Sequence, residues 1–307
     1  MSEKRAKWRT LILISAALNV ALLAGASLTG NVPYAASSAF VSAPDLFKTQ
    51  FFAPATTLQK QLVFSAPPDE LVTDTHELYR PIAEYLSRVT GKQVVYKAPR
   101  SWRSYLRGMQ RGDYDLVLDS PHFASWRIAR LTHDPVVRVA GQRTFVVVIR
   151  RDNDRIRQLT DLAGQRVCGP AALQAGGLIL HSQFDNPARQ PVFVESSGGL
   201  DSYQALMDGT CDSAILSLHV YEEADPKRKS ARVLFKSAAM PYQTLTAGPR
   251  VSAHDKTIIR RALLSPEGQT VTKALCDRFQ AAGMTPATES EYAGLHTLLK
   301  NHWGFDV

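Results

Sequence analysis

Two serine–histidine pairs, Ser120-x-His122 and Ser217-x-His219, recur at an offset of 97 positions. A hydroxyl and an imidazole at the start of a helix could meet an anion. The flanking residues suit such a place. "GDYDLVLDSPH" (112–122) and "GTCDSAILSLH" (209–219) share the order Gly-x-x-Asp, four mostly apolar residues, Ser-x-His. Such a stretch reads as a helix ending at a left-handed Gly, a short buried strand, and a new helix capped by Ser, with Pro121 suited to the first helical position. The free N–H groups and positive dipole end of such helix starts attract anions. Each serine could equally do no more than cap its helix, and each histidine could be a packed or solvated side chain.

The elements around the two pairs also repeat. "SYLRGMQRG" (104–112) leads into the first and "SYQALMDG" (202–209) into the second; upstream, "QVVYKAPRS" (93–101) parallels "PVFVESSGG" (191–199). The order strand, helix, strand, helix therefore occurs twice. "QLVFSAPP" (61–68) opens the first set, and "LTDLAGQRVCGP" (159–170) opens the second. The pattern at 73–91 is helical, with Pro81 near its start or at a kink. "TFVVVIRRD" (144–152), "RVLFKSA" (232–238) and "YQTLTAGPRV" (242–251) read as further strands, and 254–303 has a helical period.

Strands alternating with helices predict an α/β chain of two lobes, each with a mainly parallel sheet, facing each other across an interlobe cleft. Ligands of such sheets sit outside the carboxyl ends of the strands. The expected lobes are 61–145 plus 246–307, and 146–245. Strand-end loops then nominate Ser65, Ser101, Trp102, Ser120 and His122 on one side, and Gln174, Ser196, Ser197, Ser217 and His219 on the other. Tyr79 and Trp102 would floor the pocket or fill the core, and Arg100 and Arg103 would meet an acidic ligand or remain solvated. An anion bound beside the paired histidines would favour their charged form, so affinity would strengthen as pH falls from about 8 toward 6.

Composition bounds the partners. With 45% hydrophobic and 21% charged residues over 307 positions, the chain has a globular composition with room for adequate cores. Lys4, Arg5, Lys7 and Arg9 precede the apolar run 11–28, and no charged residue occurs between Arg9 and Asp45. Residues 1–39 are therefore read as a cleaved export signal or a retained anchor, and 40–60 as a linker. The formal charge of +8 falls to +5 once the four bases and Glu3 of that leader are set aside, and the remaining bases are scattered. No nucleic-acid partner is expected. Cys168 and Cys211, placed at opposite ends of neighbouring parallel strands, are expected to be buried thiols rather than a bridge. No metal-ligand spacing, nucleophile elbow, P-loop or close carboxylate pair appears, so neither a cofactor nor catalysis is expected. Asp115 and Asp212 precede their strands at the end away from the cleft, where they would fix a turn.

"ELYRPIAEYLSRVTGKQVVY" (77–96), "YLRGMQRGDYDLVLDSP" (105–121), "LTDLAGQRVCGPA" (159–171), "YQALMDGTCDSAIL" (203–216) and "EYAGLHTLLKNHWGF" (291–305) follow in an order that resembles the periplasmic phosphonate, phosphite and phosphate binding proteins of ABC transporters. These form the PhnD-like branch of the type II periplasmic binding fold. The resemblance implies capture of a small oxyanion and delivery to a membrane permease. It departs at one point: where the family often carries Ser-Thr-Ser-Gly, this chain has "AALQAGG" (171–177). A membrane-anchored module that senses its ligand for a membrane partner is the alternative reading, discriminated by an N-terminal helix retained in purified membranes.

Overall fold

In the computed structural model the described residues are 61–68, 75–170, 173–300, 302, 304 and 305. The expected signal or anchor (1–39) and linker (40–60) lie outside them. A first run comprises β1 (Leu62–Ser65), α1 (Thr75–Thr90), β2 (Val94–Tyr96), α2 (Trp102–Gln110), β3 (Leu116–Asp119), α3 (Pro121–Leu131) and β4 (Asp134–Val139). After β5 (Gln142–Arg143) and β6 (Phe145–Arg150) the run repeats as β7 (Arg166–Gly169), α4 (Ala175–His181), β8 (Val192–Glu195), α5 (Gly199–Met207), β9 (Ser213–Ser217), α6 (Leu218–Ala224) and β10 (Ala231–Lys236). The chain closes with β11 (Met240–Pro241), β12 (Thr244–Ala247), α7 (Ala253–Leu264), α8 (Pro266–Val271), α9 (Lys273–Asp277) and β13 (Met284–Pro286).

The duplication is visible in strand order. One sheet reads β2-β1-β3-β12-β4-β13 and the other β8-β7-β9-β6-β10. In each, three strands of one run are parallel neighbours, and an antiparallel strand from the other half of the chain separates them from the run's last strand. The two crossings pass side by side, because β5 pairs antiparallel with β11.

The echoed residues perform the same local tasks in both runs. Gly112 and Gly209 have φ of 67° and 74°, the left-handed conformation a Gly adopts without steric cost. Asp115 accepts the Val63 N–H at 2.7 Å and Asp212 the Arg166 N–H at 2.9 Å, so each aspartate fastens the start of the neighbouring strand rather than only a turn. Pro121 takes the first position of α3.

Burial explains why the crossing strand β6 is apolar without alternation. Phe145, Val147 and Ile149 pack into one core cluster, and Val146 and Val148 into another containing Tyr203, Leu206 and Tyr221 on the opposite face. Helix α1 buries Tyr79, Ile82, Ala83 and Leu86, at helical spacing, although Pro81 sits inside it. The segment 254–303 is less helical than its period suggests. It contains the three-residue edge strand β13, paired with β4, and ends in 3-10 turns at Glu289–Tyr292 and Leu295–Leu299. A strand this short has no periodicity of its own and exists only through its tertiary partner.

Cys168 and Cys211 form a disulfide with Cα atoms 5.8 Å apart, which overturns the expectation of separate thiols. That expectation treated Cys211 as the entrance of β9. It lies before the strand, where its N–H donates to Ala205 O at the end of α5, and the next residue's N–H donates to Arg166 O. The turn thus brings Cys211 to β7, which has only four residues and cannot hold its two ends far apart. The bridge spans 43 positions, a closure worth about 4 kcal/mol in the chain-entropy treatment.

Candidate functional site

The carboxyl ends of the parallel strands and the two crossings enclose a cavity of about 470 Å³. Ser120 follows β3, Pro67 and Pro68 follow β1, and Gln174 and Ala175 open α4. Glu195, Ser196 and Ser197 come from the end of β8. The crossings add Arg143, Phe145 and Gln243, and the segment around α9 adds Leu275, Arg278 and Phe279. Both sheets therefore contribute.

The six expected residues on this wall are Tyr79, Trp102, Ser120, Gln174, Ser196 and Ser197. Ser120 has extended backbone at the N-cap of α3, yet its hydroxyl makes no cap hydrogen bond; its carbonyl accepts the Phe123 and Ala124 N–H groups instead. The hydroxyl is thus left to the cavity. Ser196 is half-buried and shares a hydrogen bond of 2.6 Å with Ser202, whereas Ser197 is exposed.

Five expected residues lie elsewhere. Ser65 is buried and donates to Lys97 O at 2.9 Å. Ser101 caps α2 by accepting the Ser104 N–H. Ser217 caps α6 by accepting the Val220 N–H at 3.4 Å, so the two echoed serines differ: one caps and one faces the cavity. His219 is exposed and lies 3.1 Å from Glu223, four residues along its helix. His122 is fully buried against Phe123. Burial pulls its pKa down to about 3, an effect that the nearby Leu173 backbone opposes and Arg127 and His302 reinforce. The twin histidines consequently do not flank the cavity, and the expected proton uptake on binding loses its basis.

Sequence reasoning missed Arg143 and the rings beside it. The Arg143 guanidinium carbon lies 5.0 Å from the centre of Tyr242, 5.7 Å from Phe279 and 5.9 Å from Phe145. Burial lowers its pKa, partly offset by Tyr242. Gly141 makes room for this stack: its φ is 99°, and a Cβ there would stand 3.0 Å from the Tyr242 ring. These residues occupy the crossings and the C-terminal segment, outside the duplicated loops on which the search for a site was based. The "QRTF" stretch at 142–145, a cation entering an apolar strand, was the available signal.

The family described as ABC transporter, phosphonate, periplasmic substrate-binding protein matches residues 64–292. The chain belongs to that family. Its relatives include the phosphate-import protein PhnD of Mycolicibacterium smegmatis, 24% identical, with 76% of this chain and 83% of that protein covered. PhnD1 from Prochlorococcus marinus, solved in complex with methylphosphonate, is similar in fold at a TM-score of 0.57 and 16% identity, covering 78% of this chain and 97% of that one. XAC2383 from Xanthomonas citri, solved bound to ATP, is similar at a TM-score of 0.59 and 16% identity, covering 78% and 95%. The fold is thus the two-lobed type II periplasmic binding fold. This phosphonate-binding family captures small molecules for ABC importers and is not a family of enzymes.

Proposed function

We propose that the protein captures a small oxyanion of the phosphonate or phosphate class in the 470 Å³ cavity and delivers it to an ABC permease. The observation that carries this reading is the Ser120 hydroxyl, free of capping duty at the start of an eleven-residue helix and lining the cavity. The positive dipole end of α3 favours a negative ligand there, and the Arg143 and Arg278 side chains add cations to the wall. In this reading the six- and five-stranded sheets are the cores of the two lobes, with the expected boundaries near 145 and 246 at the crossings.

Isothermal titration with methylphosphonate and inorganic phosphate tests the site. Ser120→Ala should weaken binding about tenfold, the effect of one hydrogen bond to a charged group. Ser217→Ala should leave affinity within about twofold while costing about 1 kcal/mol of stability through its lost cap. Equal affinity for wild type and Ser120→Ala would remove the cavity from consideration as the oxyanion site.

The leader 1–39 is proposed to export the chain, supported by its basic residues followed by the apolar run 11–28. Deleting residues 1–28 should strand the protein in the cytoplasm. Periplasmic recovery of the truncated chain would exclude this role. Retention of the intact leader in membrane fractions would favour the anchored, ligand-sensing reading instead.

A further inference from the structure

We infer that the ligand carries an apolar or aromatic body, and that Arg143 grips its anionic head. This rests on the proposed reading of the cavity as the oxyanion site, and it names the chemical class that site prefers.

The charge on Arg143 needs a partner. Among the described residues, Asp119 pairs with Arg127, Glu291 with Arg138 and Asp115 with Arg250, but no carboxylate forms an ion pair with Arg143. Its surroundings are instead the rings of Tyr242, Phe279 and Phe145. The three rings stand 5.0–5.9 Å from the guanidinium carbon, and with no carboxylate among the described residues paired to it the guanidinium can present N–H groups to a planar pair of oxygens, as in bidentate contacts to carboxylate or phosphate. A desolvated cation without a counter-charge is costly, and an anion entering the cavity removes that cost.

Beside its polar groups the wall also carries apolar surface that a bare inorganic anion does not use. Tyr79, Trp102, Phe145 and Phe279 present aromatic surface, joined by Leu118 and Leu275. Leu173, Gln174 and Ala175, where the β7–α4 loop enters α4, bring no hydroxyl, and the cations on this wall are Arg143 of the crossing strand and Arg278 after α9. At about 30 Å³ per water, the cavity of about 470 Å³ has space for roughly 15 waters. An inorganic phosphate occupies a small part of that volume and leaves the rings in contact with water. An organic group attached to the oxyanion covers them and removes their apolar surface from water, which favours binding. Glu195, the carboxylate on the wall, repels a negative head from the β8 end and orients the ligand toward Arg143.

The test is calorimetric titration of the full chain with inorganic phosphate, methylphosphonate and phenylphosphonate at one pH. Phenylphosphonate should bind at least tenfold tighter than methylphosphonate, with phosphate weakest. Arg143→Gln should weaken phenylphosphonate at least thirtyfold, and Arg143→Lys, which keeps the charge but loses the planar fork, should fall between. The comparison of ligands needs no variant, and thermal melts establish that each variant is folded; if Arg143→Gln fails to fold, Arg143→Lys decides. Phenylphosphonate binding no better than methylphosphonate, or unchanged in Arg143→Gln, overturns this inference while Ser120→Ala still reports on the oxyanion site. Binding of none of the three anions overturns both.

Discussion

Replacing Arg127 by methionine should destabilise the protein by about 3–5 kcal/mol, the cost of stranding a buried charge. Arg127 and Asp119 are 1% and 0% exposed, and the guanidinium donates to both carboxylate oxygens at 2.7 and 2.6 Å. Its Nε donates to Thr246 on β12 at 3.0 Å, and the Tyr105 hydroxyl donates to Asp119. Burial alone would lower the Arg127 pKa, but the Asp119 carboxylate reverses this and raises it. Burial, then the same carboxylate, raises the Tyr105 pKa well above its ordinary value. The network ties α2, β3, α3 and β12 together directly behind Ser120, so its loss should also weaken oxyanion binding. Asp119→Leu combined with Arg127→Met removes both charges and should cost less than Arg127→Met alone. Urea unfolding measures each. A penalty below about 1 kcal/mol for Arg127→Met would mean that Asp119 finds water or protonates, and that the ion pair does not hold this corner.

Where sequence reading succeeded, the signal was local and came twice. Gly112 and Gly209 needed the left-handed region and stand at the same place in each run, whereas Asp115 and Asp212, expected to fix a turn, also hold a neighbouring strand's N–H. Symmetry misled the reading where the two copies had diverged in packing. Ser120 and Ser217 are alike in sequence, yet one precedes Pro121 and faces the cavity while the other caps its helix. His122 and His219 differ more, one fully buried and the other exposed beside Glu223. Which face of a short helix meets the remainder of the chain depends on contacts from distant segments. The same applies to Cys211, whose approach to β7 depends on a turn rather than on strand register. Arg143 was missed because its task arises where two crossings and the C-terminal segment converge, a conjunction absent from any single stretch of sequence.

Acid should weaken the fold itself, through two histidines held neutral in the interior. His122 is fully buried with a pKa pulled down to about 3 by burial. His133 is 4% exposed, and burial first, then Arg127, Lys256 and Arg250, pulls its pKa down to about 2. His133 Nδ1 lies 3.2 Å from Thr246 Oγ1, and Gly248 leaves space for the ring, since a Cβ there would stand 2.9 Å from it. The unfolded chain binds a proton at each histidine below about pH 6.5, while the folded chain does not until near pH 3 or below. Stability therefore falls as pH drops through 6.5, by about 1.4 kcal/mol per unit for each group once well below that value. Between pH 7 and pH 5 the two together should remove about 4 kcal/mol, as measured by urea unfolding. His122→Leu should halve that loss without altering stability above pH 7 by the same mechanism. An unchanged pH slope in His122→Leu would show that the ring is protonated or hydrated in the folded state. Because neither His122 nor His219 lines the cavity, ligand affinity measured between pH 8 and pH 6 should change only as the ligand's own protonation changes. The residues that seemed to couple binding to pH couple pH to folding in the case of His122, and remain a surface pair in the case of His219.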